Sequence, residues 1–135
     1  MSDTFTPEVG TIGWFDLTVH DAEKVRDFYK EVVGWKVGAI DMGGYQDFTM
    51  STAETDKMVA GVCHARGSNA ALPAVWLIYI TVADVDRSAE QVVRMGGKIR
   101  IPPKAMGGGR FCLIEDPAGA VSALFQPPPA KAPST

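Results

Sequence analysis

The chain has 135 residues, a net charge of −3, and 46% apolar against 21% charged residues. That is one ordinary globular domain with length enough for a core, too short for a two-domain cofactor enzyme and too acidic for a nucleic-acid or anionic-membrane footprint. No run of 18 apolar residues predicts a membrane span, Met1-Ser2-Asp3-Thr4 has no signal-peptide pattern, and the distant Cys63 and Cys112 predict reduced thiols in a cytoplasmic protein.

The first predicted strand covers 14–19. Phe15, Leu17 and Val19 alternate with Trp14, Asp16 and Thr18, so the first set suits a helix-covered face. Helix 22–33 follows, with Val25, Phe28, Tyr29 and Val32 on one face, Asp21 as N-cap and Gly34 as its stop. Short strands are predicted at 35–37, within 43–50 and at 58–62, with a turn over 51–57. Residues 67–73 form a linker. The pattern then repeats. Trp14–Asp21 recurs as Leu77–Asp84, and a helix at about 85–95 carries Val85, Ala89, Val92 and Met95 on one face. Asp84 caps it and Gly96 stops it. Strands at 98–101, within 108–115 and at 120–124 complete the second copy, with a turn at Asp116-Pro117-Ala118-Gly119.

Each copy therefore reads strand–helix–strand–strand–strand. The fold class is α+β, with two tandem βαβββ modules and curved mixed sheets enclosing a cavity. A single domain spans 1–127, with module one at about 10–66 and module two at about 74–127. Residues 128–135 form a Pro-rich tail expected to be disordered. Asp16 stands in mid-strand, where carboxylates are depleted. Two surroundings accommodate it: a wet cavity, or bulk solvent over an open sheet.

The segments Asp16-Leu17-Thr18-Val19-His20-Asp21, Phe28-Tyr29 and Val33-Gly34-Trp35 resemble the vicinal-oxygen-chelate superfamily, the glyoxalase/bleomycin-resistance/dioxygenase proteins. So do Val82-Ala83-Asp84-Val85-Asp86, Gly96-Gly97-Lys98, Gly109-Arg110-Phe111 and Asp116-Pro117-Ala118-Gly119-Ala120 in the second copy. The resemblance covers residues 10–127 and implies paired modules, often shared between two chains. It also implies a divalent metal held by the first and last strand of each module. Carried over, those four positions are Trp14, Gly61, Leu77 and Ala123, none of which supplies a ligand for such a cation. The implied protein is metal-free, without another cofactor, and resembles the drug-sequestering members of bleomycin-resistance type.

The expected partners are a small-molecule ligand and a second copy in a homodimer, with no nucleic acid and no membrane. The candidate ligand-binding residues are Trp14, Asp16, Asp47, Tyr79 and Arg110. Trp14 offers a plane for stacking or fills the space of a lost metal site. Asp16 and Asp47 form a carboxylate pair that either orients a ligand or does acid–base work. Met106-Gly107-Gly108-Gly109-Arg110 is either a lid or an ordinary hairpin connection. His64 is read as a surface or capping residue beyond the strand, His20 as exposed, and Cys112 as buried and inert. Turnover is left open, with a metal-independent lyase or isomerase on a small carbonyl or hydroxy compound as the alternative to binding.

Overall fold

The computed structural model describes residues 7–129. The part of the expected tail from 130 onward lies outside the described residues. Among them are eight strands and two α-helices, grouped into two compact units.

The first unit is Trp14–Leu77. Its elements are β1 (Ile12–Val19), α1 (Ala22–Val33), β2 (Lys36–Asp41), β3 (Gln46–Ser51) and β4 (Met58–His64), with β1 beginning just before the unit's boundary. The strands lie in the order β2-β3-β4-β1. β1 and β4 run parallel with Asp16 opposite Gly61, and the other pairs are antiparallel. The caps are where the sequence puts them. Asp21 accepts the Lys24 N–H at 3.1 Å, and Gly34 is left-handed (φ 83°), with its N–H on the Lys30 carbonyl.

The helix covers the sheet with a narrower stripe than its apolar pattern suggests. Ala22 is fully buried, and Val25 and Tyr29 pack beside it against Phe48, Met50, Ala60 and Val62. Phe28 and Val32, at the stripe's edge, remain 57% and 64% exposed. The reason lies in the bulk under Tyr29. Its ring meets Trp76 edge-on at 5.3 Å, its hydroxyl accepts the Trp76 indole N–H at 3.2 Å, and Trp35 meets Trp76 edge-on at 6.1 Å. Each such aromatic pair adds about 0.5–1.5 kcal/mol beyond its buried area.

The second unit joins residues from Ile78 onward to the segment before Trp14. The limits read from the repeat place residues 10–13 in module one, but backbone pairing joins them to this unit: Gly10 donates to the Thr81 carbonyl at 2.8 Å, and Thr81 donates to that of Thr11 at 2.8 Å. The unit's elements are β5 (Trp76–Thr81), whose first two residues fall within the first unit's boundary, α2 (Val85–Arg94), β6 (Lys98–Met106), β7 (Gly109–Glu115) and β8 (Val121–Gln126), in strand order β5-β8-β7-β6. β5 and β8 run parallel with Tyr79 opposite Ala123, the same register position that Asp16 and Gly61 hold in the first unit. Asp84 accepts the Arg87 N–H at 3.2 Å. Val85, Ala89, Cys112 and Leu124 form the core beneath α2. Met95, just past the helix end, is 73% exposed rather than part of that stripe.

The glycine-rich stretch is a hairpin. β6 ends at Met106 and β7 begins at Gly109, leaving Gly107 (φ 55°) and Gly108 (φ 89°) as a two-residue turn of the kind that needs positive φ at both positions.

Candidate functional site

In the first unit, Phe48, Met50, Ala60 and Val62 point toward α1. Strand alternation then turns Trp14, Asp16 and Thr18 of β1, Gly61 and Cys63 of β4, and Asp47 and Thr49 of β3 to the opposite face. Register brings them side by side: Asp16 beside Gly61, Thr18 beside Cys63, Thr49 beside Gly61. The face is polar yet largely covered, with Thr18 and Asp47 both buried.

Asp16 and Trp14 form one piece. The Trp14 indole Nε1–H donates to Asp16 Oδ1 at 2.8 Å. Gly61 makes room for them: a Cβ there would stand 2.3 Å from Asp16 Oδ1 and 3.6 Å from the edge of the Trp14 ring. So the two first-unit positions implied as metal ligands hold an indole and a bare backbone, and the space a side chain at 61 would need is taken by the Asp16 carboxylate. The superfamily's divalent metal does not fit these residues.

Asp47 anchors the other end of the face. Its Oδ1 accepts the His64 backbone N–H at 2.8 Å and lies 3.5 Å from His64 Nδ1. Burial, then the nearby charges of Asp16 and Asp47, pushes the Cys63 thiol far above its ordinary pKa. Cys63 therefore stays protonated and is not poised as a nucleophile. It is the group on which the two predicted carboxylates both act.

Sequence reasoning missed Cys63 and set His64 outside the strand. The structure makes His64 the last residue of β4, with a side chain only 14% exposed. The signal was available: β4 extended by two residues places Cys63 on the Gly61 face. His20 is exposed as expected.

Tyr79 and Arg110 belong to the second unit. Tyr79 is 8% exposed and sits on β5 opposite Ala123. Leu77 and Ala123, the remaining two positions implied as metal ligands, are buried apolar side chains. Arg110 shares the face of Cys112, toward α2, and grips Asp86 there with Nη2–Oδ1 at 2.9 Å and Nε–Oδ2 at 3.2 Å. Its geometry is that of a tie between β7 and the first turn of α2. Cys112 is fully buried, and burial with the nearby Asp86 charge pushes its thiol up to about 11.

Among the described residues, no group of three or more His, Cys, Asp or Glu side chains is set to hold a metal ion, and no helix is long and apolar enough to cross a membrane.

Fold and face together define a protein of paired βαβββ units with a polar, partly covered sheet face in the first. The chain belongs to the glyoxalase/bleomycin resistance protein/dioxygenase superfamily, whose family model matches residues 11–123. It is 33% identical over 119 residues to CFP32 of Mycobacterium bovis, named as a glyoxylase, covering 87% of this chain and 46% of that protein. It is 28% identical over 130 residues to the anthracycline biosynthesis protein DnrV of Streptomyces peucetius, covering 87% and 47%. The chain thus spans about half the length of the curated relatives it matches. Among solved structures, methylmalonyl-CoA epimerase from Streptomyces coelicolor superposes with a TM-score of 0.56 at 15% identity, over 88% of this chain and 98% of that one. The epimerase from Mycobacterium tuberculosis gives 0.57 at 12% identity, over 94% and 95%. At those identities the likeness is one of fold.

Proposed function

We propose that this protein binds a small planar organic molecule carrying a hydrogen-bond donor, and does so without the superfamily metal. The observation that carries the reading is the Trp14–Asp16 pair standing over Gly61. It offers an aromatic plane and a carboxylate above a strand position with no side chain, where a metal ligand would otherwise project. Asp47 extends the candidate set on the same unit, while Arg110 is committed to Asp86. Two relatives are named for anthracycline biosynthesis. An anthracycline is a fused planar ring system bearing an amino sugar, so it has both the plane and the donor. The protein acts as a cytoplasmic homodimer in this reading. The free thiols of Cys63 and Cys112 support a reducing compartment. Exposed Phe28, Val32, Val33, Ile40 and Met42 support an apolar surface that a second copy covers.

The test is a thermal-shift screen of planar aromatic amines, followed by titration of Asp16→Ala. Loss of a hydrogen bond to a charged group weakens binding by about 1.5–3 kcal/mol, roughly 10- to 150-fold. Hits that bind Asp16→Ala unchanged would refute the site. Stoichiometric Zn, Ni, Mn or Fe retained through dialysis would refute the metal-free reading, and light scattering at the chain mass would refute the dimer.

A second reading is turnover, as a metal-independent lyase or isomerase on a small carbonyl or hydroxy compound. The observation favouring it is that Asp16 and Asp47 both act on the Cys63 thiol, so two carboxylates and a protonated thiol share one face. Deuterium exchange at the carbon next to a substrate carbonyl, lost in Asp16→Asn and Asp47→Asn, separates turnover from binding.

A further inference from the structure

His64 Nδ1 is buried without a hydrogen-bond partner of good geometry. Its nearest charged neighbour is Asp47 Oδ1 at 3.5 Å, which the His64 backbone N–H already fixes in place at 2.8 Å. A lone pair on Nδ1 would face a carboxylate oxygen in a covered place and be repelled. A proton on Nδ1 would lie near that acceptor, outside hydrogen-bond geometry, and be attracted by its charge. The neutral ring is therefore held with its proton on Nδ1, and the lone pair falls on Nε2. Because Nδ1 has no surface, the side chain's 14% exposure belongs to its other atoms. A carboxylate that sets the tautomer of a histidine in this way makes the far nitrogen an acceptor.

The surroundings state what that acceptor suits. The Tyr45 ring meets the imidazole edge-on at 5.6 Å, and the Phe48 ring stands tilted at 6.1 Å. The Arg66 guanidinium lies over Tyr45 at 3.9 Å, and that of Arg26 over Phe48 at 4.5 Å. Arg26 is tied to Asp27, while Arg66 is exposed. The partly exposed Tyr45 ring, one acceptor nitrogen and the Arg66 guanidinium on that ring fit a weakly acidic hydroxyl on an unsaturated carbon, while Phe48 backs the imidazole from the core.

We infer that His64, oriented by Asp47, is a proton-accepting site for the O–H of a phenol or enol. Nε2 takes the hydroxyl proton as its hydrogen bond closes, and the electron pair of the broken O–H bond stays on the oxygen. Asp47 is a positioning residue; it keeps the proton on Nδ1. The site needs no ligand at Trp14 and stands whether the protein binds or turns over.

The experiment begins with two-bond proton–nitrogen NMR of the full chain at pH 8. His64 is expected to show a protonated Nδ1 and an unprotonated Nε2; the opposite tautomer overturns the inference. Asp47→Ala should move His64 to the opposite tautomer, and Asp47→Asn, which keeps an oxygen where Oδ1 stands, should retain the original one. An unchanged tautomer in Asp47→Ala removes Asp47 from the account. Where Asp47→Ala does not fold, the wild-type and Asp47→Asn spectra still decide. Diethyl pyrocarbonate then reads access: Nε2 attacks a carbonyl carbon, and ethyl carbonate leaves as carbon dioxide and ethanol. His64 should be modified in wild type, and about tenfold more slowly against His20 in Asp47→Ala, following the shrunken share of the reactive tautomer. Protection of His64 in wild type overturns the accessible nitrogen. Finally, titrating protein into 4-nitrophenol at pH 7 should raise phenolate absorbance, and His64→Gln should abolish the rise. No rise with wild type overturns the hydroxyl assignment.

Discussion

Gly61→Ala is the sharpest probe of the polar face. The new Cβ would stand 2.3 Å from Asp16 Oδ1, well inside contact distance, so one side must move. Asp16 sits opposite Gly61 in a parallel pair, and its carboxylate is two bonds from the backbone. It escapes only by swinging away, which breaks the 2.8 Å bond from the Trp14 indole. A hydrogen bond to a charged group is worth about 1.5–3 kcal/mol. Replacing a strand glycine by alanine returns about 0.5–1 kcal/mol through the unfolded chain. The net expectation is a loss of about 1–2 kcal/mol, which for a domain of this size is roughly 3–8 °C in melting temperature. Urea unfolding followed by tryptophan fluorescence measures it and also reports on the freed Trp14 ring. The decisive comparison is a double-mutant cycle. In an Asp16→Ala background the obstruction is gone, so Gly61→Ala should cost nothing or stabilise. If the cost is the same in both backgrounds, the contact between position 61 and Asp16 is not its cause.

Two further outcomes follow from groups already placed. Cys112 has its thiol pKa raised on folding, so above the unfolded value of about 8.5 the unfolded chain gives up a proton that the folded one keeps. Stability is then complete below that pH and falls by about 1.4 kcal/mol per pH unit toward pH 11; Cys63 steepens the fall in the same direction. Denaturant melts of wild type and Cys112→Ala across pH 8–11 test this, and equal slopes would refute it. Arg110→Ala should cost less than about 1 kcal/mol, because its partner Asp86 and Arg110 itself are 58% and 40% exposed; ligand binding on the first unit should be unaffected, and a lost thermal-shift hit would return Arg110 to the site.

Much of the backbone plan was legible because it is local. A helix of 22–33 needs only a capping Asp21, an apolar spacing of three and four, and a glycine able to turn left-handed at 34, all within a dozen residues. The duplicated Thr-Val-x-Asp segments announced two copies of one unit, and the alternation along β1 separated Trp14, Asp16 and Thr18 from Phe15, Leu17 and Val19. Absence of ligand atoms at positions 14, 61, 77 and 123 could also be read directly from residue identity.

What the sequence could not supply was anything that depends on which distant residues become neighbours. The meeting of Asp47 with Cys63 and His64 follows from the β3–β4 register, in which Phe48 falls opposite Val62. The obstruction at Gly61 follows from the parallel pairing with Asp16. Arg110 looked like a cavity residue because its strand was known but its facing helix was not; Asp86 claims it across 24 positions of sequence. Phe28 and Val32 stay exposed because Tyr29 and two tryptophans already fill the space beneath α1. Periodicity and capping are properties of consecutive residues, carried by bonds that close within a turn. A site is a property of register and packing, and those are fixed only when separate strands are brought side by side.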